Sequence, residues 1–435
     1  MIIKKGIDKI INKNTARFFM PGHNGDKSIP LRYDITEIKE ADNLRCPSGM
    51  IRLAQKNASL AFGSLHTFFL VNGSSSGLFA LIMSLCKRGD TLIIDRGCHI
   101  SVLNTLVFHD IRPVFIYPAH NGGFGINSAV APEDVERAFS ENPEAKGVLI
   151  TSPTYYGVCS DIRRIAEITH KNGGALIVDE AHGAHFAFSD MLPQSALMLG
   201  ADGVVNSAHK TLPCITQGAF LHLGTSRIDP NTALENINLL MTTSPSYLIM
   251  MSLDRAATEM QKSGRARLEK VIKKCIDLKK AVNETGRYKC LENEDITRLV
   301  VHAGYNTASV FDELDMRYNI KAEMCDGLNL VFIAKAMTKA RDLARLKSAL
   351  LSIAKRLPAL KEGNYPPPPK TVLKMPPSLA YYGKTKTVPP TEAVGQVAAR
   401  AVYKTPPCMG IISPGEVITE EIARLLTEDV TIAVP

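Results

Sequence analysis

In Gly203-Val204-Val205-Asn206-Ser207-Ala208-His209-Lys210 a short apolar run ends in a serine, a histidine and a lysine. The run has the size and composition of a buried strand, so the lysine falls at a strand end beside a hydroxyl and an imidazole. The same construction occurs upstream, where Ala175-Leu176-Ile177-Val178 leads into Asp179-Glu180-Ala181-His182. A carboxylate at one strand end and a lysine at the next suit a ligand that carries a cationic ring nitrogen and an aldehyde. Taken singly, Lys210 also reads as a solvated surface lysine and Asp179 as a helix cap.

The pattern continues on both sides. Residues 67–71 form an apolar run that enters Asn72-Gly73-Ser74-Ser75-Ser76-Gly77, with a helix expected over 78–86. A glycine- and serine-rich turn before a helix offers free N–H groups, hydroxyls and a positive dipole end to a phosphate. Serine-rich turns also cap helices with no ligand present. Further strands are expected at 91–95, 113–117, 147–151 and 218–223, between helices at 100–108, 132–140 and 161–171. Strands that are apolar throughout and alternate with helices predict an α/β fold with a mostly parallel sheet covered on both faces. Ligand groups then belong at the strand ends. Ser74, His99, Tyr155, Asp179 and Lys210 all fall just past such ends. Amine, carboxylate and phosphate turn on one sheet edge point to pyridoxal phosphate (PLP).

The chain has 435 residues, enough for two or three domains, with 45% hydrophobic and 22% charged residues. The net charge of +8 is spread along the sequence without a basic run, which disfavours nucleic acid as a partner. Nine scattered cysteines form no CxxC pair and no zinc spacing, as expected of reduced thiols in a cytoplasmic protein. The apolar runs are strand-sized, so no membrane span is expected. Residues 1–16 read as a leading helix and 18–25, with His23, as a loop. Helices are expected at 51–62, over 232–262 with a break at 242–246, and at 265–283. A second α/β region follows, with strands at 297–302 and 328–333 and helices at 307–316 and 338–355. Tyr365-Pro366-Pro367-Pro368-Pro369 marks a boundary. Helices at 390–402 and 419–427 are expected beyond it. The expected division is an N-terminal arm 1–20, a large domain 21–262, a linking helix and small domain 263–364, and a C-terminal α+β region 365–435.

With these residues laid out, the chain resembles the prokaryotic ornithine/lysine/arginine decarboxylases, PLP enzymes of fold type I, in particular the short members without a wing domain. The resemblance rests on Pro21-Gly22-His23, Asp34-Ile35-Thr36-Glu37, Phe68-Phe69-Leu70-Val71-Asn72-Gly73-Ser74-Ser75, Arg96-Gly97-Cys98-His99-Ile100-Ser101 and Ser152-Pro153-Thr154-Tyr155-Tyr156-Gly157. It continues through Asp179 to His185, Ser207 to Leu212, Thr243-Ser244-Pro245-Ser246-Tyr247 and Pro414-Gly415-Glu416.

The resemblance implies that Lys210 is the Schiff-base lysine, that Asp179 pairs with the pyridine nitrogen and that His99 stacks on the ring. It implies that Ser74, Ser75, Ser207 and His209 hold or adjoin the phosphate, that His182 lies near the ring, and that Lys210 or His209 returns a proton to Cα. Thr243 and Ser244 resemble a segment that reaches the active site of a second subunit, which implies a homodimer with shared sites. Glu416 is the candidate group for the distal cation of a basic amino acid; it reads equally as an N-terminal helix charge. The implied products are CO2 and cadaverine, agmatine or putrescine. Three positions depart from the family pattern: Asn24 replaces a usual lysine, Ala208 a usual threonine, and Thr405-Pro406-Pro407-Cys408-Met409-Gly410 the usual Tyr-Pro-Pro-Gly-Ile-Pro. Another fold type I activity, or a silent relative, stays open. An aminotransferase would need an arginine such as Arg298, which reads equally as a solvated strand residue.

Overall fold

The computed structural model describes residues 16–17, 42–361, 363–404 and 409–434. Residues 1–15 of the expected leading helix, the Pro21-Gly22-His23 and Asp34-Ile35-Thr36-Glu37 blocks, Asn24 and residues 405–408 lie outside them.

Seven strands form the main sheet: β1 (His66–Leu70), β2 (Thr91–Asp95), β3 (Arg112–Ile116), β4 (Gly147–Thr151), β5 (Ala175–Asp179), β6 (Gly203–Asn206) and β7 (Ala219–Leu223). Their order is β1-β7-β6-β5-β4-β2-β3. Only β7 runs against its neighbours, pairing antiparallel with β1 and β6. The parallel strands β2, β4, β5 and β6 are buried along nearly their whole length, as sheet covered on both faces requires. Leu92, Ile94, Leu149, Ile177 and Val205 face one apolar cluster. Ile93, Val148, Ile150, Leu176, Val178 and Val204 face the other.

Helix α1 (Met50–Phe62) ends at Gly63 in the left-handed region, as its glycine suggests. Helix α2 (Gly73–Leu85) starts five residues earlier than expected, so Ser74, Ser75 and Ser76 lie in its first turn rather than in a loop before it. It packs very close to the sheet. A Cβ at Gly77 would stand 2.6 Å from Leu70 Cδ1 and 3.1 Å from Val205 Cγ1. Gly77→Val should therefore cost about 1–3 kcal/mol through overpacking, read as a lower melting temperature.

The break expected at 242–246 is present, between the helix Pro230–Leu240 and α3 (Tyr247–Glu259). The linking helix is α4 (Arg265–Asn283). It packs with α5 (Ala340–Ala354) on a second sheet of β8 (Lys289–Cys290), β9 (Arg298–His302), β10 (Met324–Cys325) and β11 (Asn329–Ile333). That sheet is antiparallel, in the order β8-β9-β11-β10, and its core includes Leu278, Leu299, Leu330, Phe332 and Leu346. Tyr365 is held against the large unit, its N–H donating to Gly122 O at 2.8 Å and its carbonyl accepting from His120 at 2.9 Å.

Two helix expectations fail beyond that point. Residues 390–402 form turns and bridges, because Gly395 takes φ +78 in mid-segment and Val397 and Ala398 pair with Val417 and Ile432. At 419–427 only Glu420–Ala423 is helical. The chain then forms β15 (Val430–Ala433) against β12 (Thr385–Val388), while β13 (Val402–Lys404) pairs with β14 (Met409–Ile412). This region has its own small core around Ile412, Ile418, Ile422 and Ile432.

Candidate active site

A cavity of about 260 Å3 opens at the C-terminal ends of the parallel strands. Lys210 reaches it from the short helix Ala208–Thr211 after β6. Its Nζ lies 3.0 Å from His182 Nε2. Asp179, the last residue of β5, is fully buried. Burial pushes its carboxyl above the usual range, while Lys210 and the Ala181 N–H, 3.2 Å away, pull it back. A cation placed beside it would favour the ionised form. His99 caps its helix: its Nδ1 accepts from Ser101 N at 3.1 Å and meets Ser101 Oγ at 2.8 Å. His209 Nδ1 donates to Gly218 O at 3.1 Å. Burial, with Lys210 nearby, pushes both histidines down to about 4, so neither changes charge near neutral pH. In the same cavity Ser207 Oγ donates to Ser74 Oγ at 2.5 Å.

A family model described as "Orn/Lys/Arg decarboxylase, major domain" matches residues 5–315. The chain belongs to this family. Similar proteins include an arginine decarboxylase of Bacillus subtilis (strain 168), 32% identical over 99% of this chain and 94% of the relative. An arginine decarboxylase of Bacillus anthracis is 29% identical over 97% of this chain and 92% of its own. The fold is shared with the lysine decarboxylase LdcF of Francisella novicida, at TM-score 0.79 and 19% identity over 91% of this chain and 73% of that one.

This family member is an amino-acid decarboxylase that depends on PLP, and its cavity fits that group. An anion is suited by the N-terminus of α2, which has no side-chain cap although serines fill its first turn. By contrast Asp161, Asp229 and Ser246 cap their own helices. Lys210 supplies the amine, and Asp179, buried without an ion pair among the described residues, suits a ring cation. All eight residues expected to hold the cofactor line the one cavity: Ser74, Ser75, His99, Asp179, His182, Ser207, His209 and Lys210.

The substrate-side expectations fare differently. Glu416 does not line the cavity and is fully buried. Its Oε1 accepts from Arg96 Nε at 3.0 Å and its Oε2 from Arg96 Nη2 at 2.8 Å and Ser413 N at 2.7 Å, with Thr371 Oγ1 as a further donor. Its negative charge faces Arg96 rather than the cavity, where the expectation would have set a substrate cation. Gly415 makes this possible: it takes φ +88, and a Cβ there would fall 2.2 Å from Met375 O. Thr243 and Ser244 are exposed in the turn before α3 and do not line this chain's own cavity. Arg298, far from being solvated, is fully buried.

Sequence reading gave no role to Asp95, Thr154 or Gln217, which also line the cavity. Burial pushes the Asp95 carboxyl up to about 6. It accepts from Gly97 N at 2.7 Å and Thr151 N at 3.3 Å, bracing the turn that carries His99. Its place as last residue of a buried strand, like Asp179, was a usable signal. Tyr155 ties the cavity wall to the second sheet, its hydroxyl donating to Glu323 Oε1 at 2.9 Å.

Proposed function

We propose that the enzyme removes the α-carboxylate of L-arginine as CO2, leaving agmatine, with lysine and ornithine as poorer substrates. The choice among basic amino acids is supported by four relatives that match over 90% or more of their length and are named arginine decarboxylases; a fifth, YaaO of Bacillus subtilis, matches over 93% and has no activity in its name. Those named lysine decarboxylases match over 58% and 64% of this chain, and a biodegradative arginine decarboxylase over 54%. The cavity carries the chemical reading, since amine, buried carboxylate and anion seat converge in it.

When bound, PLP supplies the electron sink for the electron pair of the breaking Cα–carboxylate bond. Lys210 Nζ holds the cofactor and later carries a proton to Cα, with His209 adjacent. Asp179 holds the ring proton, and the buried setting strengthens that pairing. Ser74, Ser75, Ser207 and the α2 N-terminus hold the phosphate, and neutral His99 presents a ring without adding charge. His182 orients Lys210.

A homodimer is part of the proposal, with Thr243 and Ser244 serving the partner's site. It is supported by the exposed apolar residues Leu53 and Leu60 on α1 and by Leu239. The division at 21–262, 263–364 and 365–435 is supported by an apolar core within each part, while two further clusters join the first two parts, one linking Leu253 to Leu268 and Ile272 and the other linking Phe124 and Tyr156 to Val300 and Val331. A reducing, cytoplasmic setting is supported by cysteines that are all free among the described residues. Among those residues no helix is long and apolar enough to cross a membrane.

The test is CO2 release from purified enzyme with PLP, offered arginine, lysine and ornithine separately. Arginine should exceed the others by at least about tenfold in kcat/KM, a difference of about 1.4 kcal/mol. A preference for lysine or ornithine would overturn the substrate choice. No release from any of them would overturn the reaction.

A further inference from the structure

We infer that Arg298 is a positioning residue of this site: its hydrogen bond to His182 Nδ1 fixes the tautomer in which His182 presents an Nε2–H donor to the nitrogen of Lys210. The inference rests on the reading of Lys210 as the cofactor-bearing lysine and goes beyond it.

Arg298 opens β9 on the second sheet, yet its side chain turns toward the main one. Its Nη2 lies 3.0 Å from His182 Nδ1. A guanidinium has only donors, so Nδ1 must accept. A neutral imidazole carries one proton, which is then on Nε2. That Nε2 lies 3.0 Å from Lys210 Nζ. An N–H can bond there only through a lone pair, which an ammonium group lacks. The pairing therefore favours Lys210 as the free amine, the form that attacks an aldehyde and can take up a proton. In the opposite arrangement Lys210 donates to Nε2, and His182 Nδ1–H confronts the guanidinium, donor against donor in a buried place.

The surroundings hold this geometry. Burial, with the Lys210 and Arg298 side chains beside it, pushes His182 well below its ordinary value and keeps it neutral; any charge on Lys210 would push it further, and His99 and His209 add to the effect. The other groups near this chain of contacts are the Asp179 carboxylate, the Tyr155 ring and Asp295. Tyr155 meets His182 edge-on at 4.9 Å and lies 5.8 Å from the Arg298 guanidinium carbon. Gly157 leaves room for the arginine stem, since a Cβ there would sit 2.7 Å from Arg298 Cβ. Among the described residues Arg298 Nε and Nη1 have no hydrogen-bond partner. A fully buried guanidinium with two unmet donors is costly, and its side chain spends a donor on His182. Arg298 does not line the cavity, whereas His182 and Tyr155, which both contact it, do. This placement sets it behind the site rather than in it.

The experiment follows covalent capture of PLP by Lys210 in the cofactor-free protein. The amine condenses with the aldehyde, losing water, and cyanoborohydride fixes the new bond by hydride transfer; the Lys210 peptide is then quantified by mass. The rate is measured across pH for wild type, Arg298→Met, Arg298→Lys, His182→Gln and the His182→Gln/Arg298→Met double variant. Arg298→Met should slow capture about tenfold near pH 7 and match wild type at high pH, a displacement of about one pH unit. Arg298→Lys, which keeps a donor for Nδ1, should stay within about twofold of wild type at every pH. In the His182→Gln background Arg298→Met should add nothing further, because the amide presents its N–H without help. An Arg298→Met profile identical to wild type, equal slowing at every pH, or the same slowing on top of His182→Gln would each overturn the inference. If wild-type Lys210 is not captured at all, the cofactor reading itself fails and takes the inference with it.

Discussion

Lys210→Ala will lower kcat for CO2 release by at least about a thousandfold, since in the proposed mechanism it removes both the attachment point of the cofactor and the group placed to return a proton. The loss should exceed that of any other single change in the cavity, because Lys210 alone among the described residues lining it carries an amine there. Affinity for PLP should fall less than activity. In the proposed mechanism Ser74, Ser75, Ser207 and the uncapped α2 N-terminus remain to hold the phosphate, and Asp179 remains for the ring. The measurement is CO2 release beside a PLP-binding titration of the same variant. A variant that keeps a tenth of wild-type kcat would remove Lys210 from the centre of the reaction.

Glu416→Ala will destabilise the chain by about 3–5 kcal/mol, the usual consequence of stripping one partner from a buried ion pair. Arg96 would keep its bonds to Gly410 O at 2.9 Å and Ile411 O at 3.3 Å, but its charge would lie buried without an anion. Ser413 N and Thr371 Oγ1 would also lose their acceptor. Replacing both partners, as Arg96→Met with Glu416→Leu, should cost much less, because no charge is then stranded. Melting temperature with CO2 kinetics separates this role from substrate binding. A stable Glu416→Ala enzyme with a raised KM would return Glu416 to the substrate.

The main sheet was legible because β2, β4, β5 and β6 are apolar along nearly their whole length and each is followed by, or ends in, a chemically marked residue. Asp179, Lys210, Ser74 and His99 could be gathered on one edge from that rule alone. The direction of β7 was not legible, since an apolar run looks the same read either way. The start of α2 was misplaced because Gly73-Ser74-Ser75-Ser76 resembles a loop by composition and becomes helical only against Leu70 and Val205. The expected helix at 390–402 failed for a related reason: its alanines and valines suit a helix locally, but bridges to Val417 and Ile432 pull the other way. The ion pair of Glu416 was not legible, because its partner, Arg96, lies far away in sequence. Arg298 was noticed without its burial or its contact with His182, and no local pattern carries either.

Gly77 has a consequence for how damage to this enzyme would present itself. Ser74 lies one turn ahead of it on the same rigid rod, so whatever lifts the rod at Gly77 also moves the proposed seat for the phosphate. A bulky residue there would act as a wedge under a lever. Its carrier would show weakened cofactor retention rather than lost chemistry, with Lys210 and Asp179 untouched. Such a defect is of the kind that a richer vitamin supply partly repairs, because excess ligand draws the chain back to the form that binds it.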